Sequence, residues 1–244
     1  MNVVFKLILA AAIFAATGLA SSAQVGIQAR VTVPYQEMTR HNPFNRYGRY
    51  GMGVNLGLDY EIRIVKGFRV TPGLHYNLAH TEAIVVKEGY TIDEWQTDHL
   101  INIPIHLKYV FNIKPDKFAL YLYAGPALSL GTVSQTRVNV SNSFDIYFDN
   151  YTGIIKDMDF RNPDTDADKE LDIMDKIQPK MDSLGLTQRR FDLQIDCGAG
   201  FRFNGHWELL FGYTFGVIDR FNRDYGDNHD MKAAQGYIGF GYRF

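Results

Sequence analysis

The chain has 244 residues, 25 lysines and arginines against 27 aspartates and glutamates, and a net charge of −2. This balance excludes the basic footprint of a nucleic-acid-binding protein. The single cysteine, Cys197, excludes a disulfide framework within one chain, and the length fits one domain.

The N-terminal segment has the features of a secretory signal peptide. A lysine precedes an apolar run over residues 7–19, and small residues follow it. This pattern predicts cleavage between Ala23 and Gln24. We therefore assign residues 1–23 to the signal peptide and residues 24–244 to one β-barrel domain. No later run is long and apolar enough to form a membrane helix.

Eight stretches of the mature chain carry an apolar residue at every second position. They fall within residues 25–31, 50–64, 68–78, 101–111, 118–130, 191–203, 209–217 and 238–244. Because successive side chains of a strand point to opposite faces, each stretch predicts a β-strand with one apolar face.

The positions between these apolar residues are mainly polar, charged or glycine. A soluble sandwich or lipocalin-like barrel would place many glycines on its exposed outer face, where glycine weakens a strand. A transmembrane barrel instead needs an apolar exterior and a polar lumen, which suits both faces. The pattern favours the transmembrane barrel.

The connections alternate in length. The short ones are residues 65–67, 112–117 and 204–207, and the long ones are residues 32–49, 79–100, 131–190 and 218–236. Short periplasmic turns and long extracellular loops are the layout of outer-membrane barrels. We predict an all-β, eight-stranded antiparallel up-and-down barrel. Three prolines, Pro72, Pro104 and Pro126, interrupt its strands and predict β-bulges.

The loop over residues 131–190 is the longest and begins with a possible hairpin extension across residues 138–148. Apolar residues between Leu171 and Leu184 repeat every three to four positions and predict a short helix, which either covers the barrel mouth or docks a partner. Asp164–Asp168 resembles the start of a calcium loop. The sixth position is Lys169, where glycine is needed, so we predict no metal site.

Charged side chains alternate with the apolar ones and should project into the lumen. A small barrel has room for side chains alone, so these charges should pair and fill it, together with Tyr121, Tyr123 and Tyr237. A water-filled pore is the alternative. The predicted lumen charge network comprises Arg30, Asp59, Glu61, Arg63, Arg69, Lys108, Asp192, Asp196, Arg202, Glu208 and Arg243.

The sequence contains no recognisable set of catalytic residues. The histidines and acids expected near the outer rim are His41, His80, His99, Glu82 and Glu94. They match no spacing of a nucleophile and its base. We therefore predict no catalytic residue and no cofactor.

Two motifs resemble a known family. Residues 103–109, IPIHLKY, and residues 121–127, YLYAGPA, resemble the paired signature of PorT-like outer-membrane β-barrel proteins of the Bacteroidetes type. Residues 191–201 and 212–216 are similar to that family's later strands. The resemblance covers nearly the whole mature chain and implies the barrel fold. The family is functionally mixed, its namesake is an accessory of protein secretion, and it has no agreed catalytic residues.

The terminal residues Phe240, Tyr242 and Phe244 resemble the signal that the barrel-assembly machinery recognises. We therefore expect a non-enzymatic protein of the Gram-negative outer membrane, in contact with lipid, that presents its loops for structural, binding or secretion-accessory roles. A protein partner would bind those loops, and nucleic acid is not expected as a partner. A narrow solute channel is the first alternative, and an envelope lipid-modifying enzyme is the second.

Overall fold

The computed structural model describes residues 23–38, 49–87, 90–114, 117–140, 144–160, 187–220 and 231–244. Nearly all of the predicted signal peptide, the predicted helix and the calcium-like segment lie outside these residues. Within the described ranges, no helix is long and apolar enough to cross a membrane.

The described chain forms ten strands. They are β1 (Ala23–Met38), β2 (Arg49–Val65), β3 (Phe68–Lys87), β4 (Tyr90–Lys114), β5 (Phe118–Val140), β6 (Phe144–Asp149), β7 (Ile155–Phe160), β8 (Phe191–Phe203), β9 (Trp207–Gly216) and β10 (Met231–Arg243).

Eight of these strands close into an antiparallel ring in the order β1, β2, β3, β4, β5, β8, β9, β10, and β10 pairs with β1. The prediction of an eight-stranded barrel is confirmed. Strands β6 and β7 form a hairpin that extends the sheet from the end of β5.

Exposure alternates along the barrel strands. Leu56 and Leu122 on the outer face are 57% and 50% exposed, whereas Asn55 and Arg243 are each 1% exposed. The outside of the ring is therefore apolar and the inside is polar, which is the inverse of a soluble protein and suits a lipid surround.

Glycines on the lumen face make room for rings. A Cβ atom at Gly198 would lie 2.6 Å from Cζ of Tyr123, and one at Gly57 would lie 2.7 Å from Cγ of His75. Rings from one strand therefore lie over glycines of the next strand. This accounts for the glycines at positions 57, 73, 198, 200 and 212.

Strands β3, β4 and β5 are longer than predicted. Residues 79–100, which we predicted as a long loop, are the paired upper parts of β3 and β4, with only residues 88–89 between the strands. The prediction is wrong because the apolar alternation ends where the strands leave the lipid, although backbone pairing continues. The predicted hairpin extension is confirmed by the pairing of Val138 with Ile146, whereas β7 was missed.

The bulges predicted at the three prolines are also wrong. The pairing register is the same before and after Pro72 and Pro104, and Pro126 pairs directly with Ile195. The register shifts elsewhere, at residues 63–65, 99–100 and 112–114. A missing N–H donor removes a hydrogen bond, but it does not require an extra residue.

Candidate functional site

The short-turn half of the lumen contains a cluster of ion pairs around two carboxylates. Glu61 lies 2.7 Å from Arg202, 3.2 Å from Lys108 and 3.3 Å from Arg243. Glu208 lies 2.6 Å from Arg202 and 2.8 Å from Arg243. Each carboxylate is thus shared by several cations, which offsets the cost of removing these charges from water.

A hydroxyl layer lies next to this cluster. The Tyr237 hydroxyl donates to Asp196 Oδ1 at 2.5 Å and lies 2.6 Å from the Tyr123 hydroxyl. The other oxygen of Asp196 is 2.9 Å from Nε2 of His106 and 3.6 Å from Arg30. The two hydroxyls meet because Tyr123 of β5 lies over Gly198 of β8 and Tyr237 of β10 lies over Gly212 of β9. These two glycines are paired with each other.

Asp59 is a second buried carboxylate beside the tyrosine layer, and like Asp196 it contacts a histidine. Asp59 Oδ1 lies 2.9 Å from Nε2 of His75, and Asp59 Oδ2 accepts from Gln28. The lumen therefore contains two aspartate–histidine pairs in the described residues, Asp59–His75 and Asp196–His106. Neither histidine belongs to the predicted charge network, although both alternate with apolar residues.

The long-loop end of the lumen has a separate polar cluster. Arg49 pairs with Glu94 at 2.5 Å and donates to Gln96. Asp98 accepts from Gln96 at 2.9 Å and pairs with Arg220 at 3.4 Å. Sequence reasoning missed this cluster because it lies in stretches that we predicted as loops.

Two small cavities lie between these layers. A cavity of about 30 Å³ lies among Asn77, Asn102, Gln194, Thr214 and Gln235. Another, of about 10 Å³, lies beside the tyrosines. Because a buried water needs roughly 10–15 Å³, these two spaces hold at most a few waters.

The predicted charge network can now be located. All its members except Arg63 are buried. Arg63 is exposed at the short-turn mouth. Asp192 is buried without an ion pair among the described residues, and its Oδ2 accepts from Gln194 at 2.9 Å. The other nine form or adjoin the clusters above.

Two of the predicted rim histidines lie on the outside of β3 and β4. Nδ1 of His80 is 3.0 Å from Oγ1 of Thr97, and its Nε2 is 3.5 Å from Glu82. His99 is 2.5 Å from the Tyr76 hydroxyl. His80 and Thr97 pair with neighbouring strands on both sides, so the sheet occupies the backbone groups that an oxyanion hole would need.

Glu94 does not join the two histidines. Glu94 points inward to Arg49, and His41 lies outside the described residues. In the described part of the chain, no group of three or more His, Cys, Asp or Glu side chains is placed to hold a metal ion.

The sheet beyond the barrel carries an aromatic and basic cluster. Arg137 donates to Asp145 at 2.5 Å and lies over the rings of Tyr147 and Trp95, at 5.1 and 5.6 Å from their centroids. The hydrogen bond to Asp145 raises the pKa of Arg137. These contacts join β4, β5 and β6 into one surface.

Tyr151 anchors the hairpin to the barrel rim. Its side chain is buried against Gly131, and Arg190 lies 4.4 Å from its ring centroid. Burial raises the pKa of Tyr151 to about 12, so the hydroxyl stays neutral at physiological pH. The β6–β7 connection is thereby fixed to the barrel.

The terminal aromatic residues form an exposed patch at the short-turn end. The ring of Tyr242 is 4.7 Å from Trp207 and 5.2 Å from Phe244, and Trp207 stacks on Phe240 at 5.2 Å. Recognition of Phe240, Tyr242 and Phe244 by the assembly machinery stays a prediction.

The model of the outer membrane protein beta-barrel domain family matches residues 7–244. The chain belongs to this family. It is accordingly a protein of the outer membrane, and the apolar exterior is its lipid-facing surface. The finer resemblance to PorT-like barrels stays a prediction.

The chain is similar to several solved outer-membrane barrels. Ail of Yersinia pestis is 12% identical, with 91% of this chain and 99% of that one covered and a TM-score of 0.43. Neisserial surface protein A is 13% identical, with 91% and 99% covered and a TM-score of 0.41. OprG of Pseudomonas aeruginosa is 12% identical, with 91% and 96% covered and a TM-score of 0.38. None of the curated protein sequences matches the chain.

Proposed function

We propose that this outer-membrane barrel is a non-enzymatic protein with a closed lumen, and that its extracellular sheet binds a protein partner at the cell surface. The main support for this proposal is the length of β4 and β5. β4 and β5 have 25 and 23 residues, whereas a strand needs about 9–11 residues to cross the bilayer. More than half of each strand is therefore available outside the lipid.

The rigidity of this outer part supports a binding role. β3, β4 and β5 pair continuously above the rim, and β6 and β7 widen the sheet. Tyr151 fixes the base of this extracellular sheet to the barrel, and the cluster around Arg137 covers one face of the sheet. A preformed surface loses less entropy when it binds a partner than a mobile loop does.

The packing of the lumen supports a closed barrel rather than a channel. The carboxylate cluster, the tyrosine layer and the Arg49–Asp98 cluster follow one another along the axis. Planar-bilayer recording tests this point, and we expect no steady single-channel current from the purified protein. A double variant, Tyr123→Ala with Tyr237→Ala, should raise leakage, whereas Tyr213→Ala on the outer face should not. Large steady currents from the unaltered protein would favour the channel alternative.

Photo-crosslinking in living cells tests the binding role. A photoreactive residue at Thr152, which is exposed in the β6–β7 hairpin, should give discrete protein adducts. The same residue at Leu122 on the lipid face and at Lys66 in a short turn provides the matched controls. If Thr152, Lys156 and Asp157 all give no adduct, the proposed role of the sheet is wrong.

Processing and the absence of enzymatic activity are part of the proposal. Removal of residues 1–23 should leave an N-terminus at Gln24, which the intact mass of protein from outer membranes reveals.

Lipid A from cells that overproduce the protein should have an unchanged mass spectrum. A loss or gain of acyl chains would favour the lipid-modifying alternative instead.

A further inference from the structure

A cavity of about 180 Å³ opens at the short-turn end of the lumen, where its lining is strongly basic. Five cationic side chains line it, namely Arg63, Arg69, Lys114, Lys117 and Arg202, together with Gln24 and Asn112. We propose that this cavity is a binding site for an anion that carries a phosphate group. The proposal does not depend on the role of the extracellular sheet.

The outermost cations of this cavity have no counter-ion among the residues that the structure describes. Arg63, Lys114 and Lys117 are exposed at the mouth, and none of the three forms an ion pair with another described residue. The sequences of the three short turns contain one acidic residue, Asp116, against Lys66, Lys114 and Lys117. The mouth therefore carries positive charge that a ligand can neutralise.

The cluster behind the mouth adds to this excess. Glu61 and Glu208 are the two carboxylates there, and four cations, Arg69, Lys108, Arg202 and Arg243, pair with them. Asp59 also interacts electrostatically with Lys108 and Arg243, so these four cations exceed the three nearby carboxylates by one. Because the barrel wall has a low dielectric constant, it focuses this field toward the mouth and attracts anions.

Arg69 provides an independent indication of a ligand. Its side chain is buried, lines the cavity and pairs with Glu61 through Nη1, but its Nε has no hydrogen-bond partner within the described part of the chain. An unpaired buried donor on a charged group is costly. Nε is shielded from solvent, so a small shift of the Arg69 side chain toward the cavity would let it donate to a bound oxyanion and remove that cost.

The chemistry of the lining favours phosphate over a single carboxylate. Arginine donors match the geometry of phosphate oxygens, and lysines add point charges that favour a doubly charged group. The volume of about 180 Å³ exceeds that of a phosphate ion, so it leaves room for a small ester. The source is either a soluble phosphate compound of the periplasm or the headgroup of an inner-leaflet phospholipid.

Titration calorimetry on the full-length protein in detergent at constant ionic strength tests the site. The soluble probes are inorganic phosphate and glycerol 3-phosphate. The double variant Lys114→Gln with Lys117→Gln should bind them at least tenfold more weakly. Lys66→Gln removes a charge from a neighbouring turn, does not line the cavity, and should change the affinity less than twofold. Heat-dependent mobility in SDS shows that each variant is folded.

Amine-reactive labelling of the protein after co-sedimentation with vesicles distinguishes the two sources of the phosphate group. If the headgroup is the ligand, vesicles of phosphatidylglycerol in phosphatidylcholine should protect Lys117 from amine-reactive labelling, whereas pure phosphatidylcholine should not. Protection by the soluble probes alone would assign the site to a soluble compound. The proposal is overturned if neither source binds saturably, or if the double variant and Lys66→Gln lose affinity equally.

Discussion

Gly212 of β9 and Tyr237 of β10 are directly paired on neighbouring strands, and the tyrosine hydroxyl occupies the space that a side chain at position 212 would take. A Cβ atom at Gly212 would lie 2.5 Å from that hydroxyl and 2.6 Å from the carbonyl oxygen of Cys197. The carbonyl belongs to the sheet and cannot move aside. The tyrosine layer of the lumen therefore depends on a glycine.

Substitution of this glycine should destabilise the barrel. We expect Gly212→Ala to lower the free energy of unfolding by about 1–3 kcal/mol, because the added methyl overpacks the lumen. Gly236→Ala is the matched control, since the nearest atom to its Cβ would be 4.0 Å away. That substitution should be neutral or stabilise by up to about 1 kcal/mol. Urea unfolding in lipid vesicles measures both, and equal effects would contradict the packing argument.

An arginine on the outer face should be costly only at the depth of the lipid. Leu122 is 50% exposed in the middle of β5, and Leu122→Arg should cost about 2–4 kcal/mol near the bilayer midplane. Gln135 is exposed on the extracellular part of the same strand. Gln135→Arg should cost about 0–1 kcal/mol, as expected near or beyond the interface. Similar folding yields for both variants in vesicles would show that the lipid face is wrongly assigned.

The folded protein should resist SDS at room temperature and change its mobility on boiling. Each of the eight barrel strands has two paired neighbours, so the ring presents no open edge to the detergent. Electrophoresis of heated and unheated samples makes the comparison. Identical mobility of the two samples would contradict a closed barrel.

The two ends of the barrel should be accessible from opposite sides of the outer membrane. Lys156 in β7 and Lys66 in a short turn are both exposed lysines, so they form a matched pair for cysteine labelling in a Cys197→Ala background. A membrane-impermeant maleimide should label Lys156→Cys in intact cells. It should label Lys66→Cys only after lysis. The reverse pattern would invert the topology.

The sequence alone determined the fold class, because the period of two is a local property of each strand. Runs such as Leu56, Leu58 and Tyr60 show an apolar face without any knowledge of the partner strand. The same alternation indicated that Glu61, Arg202 and Glu208 share the other face. The short turns could also be predicted from the sequence, because they contain Gly67 and Gly205. In the structure both glycines have the positive φ angles that favour this residue.

Only the tertiary structure decided which of these side chains meet. In the upper parts of β3 and β4 the outer face is no longer regularly apolar, as at His80, Glu82 and His99, so the lipid-facing pattern does not extend there. Their strand structure is fixed by the pairing of β3 with β4 and of β4 with β5. The contacts of Glu61 with Arg202 and of Tyr237 with Asp196 span 141 and 41 residues of sequence. They are fixed by the order and register of the strands around the ring. The basic mouth arises in the same way, because ring closure brings residues of β2, β3, β4 and β8 to one opening.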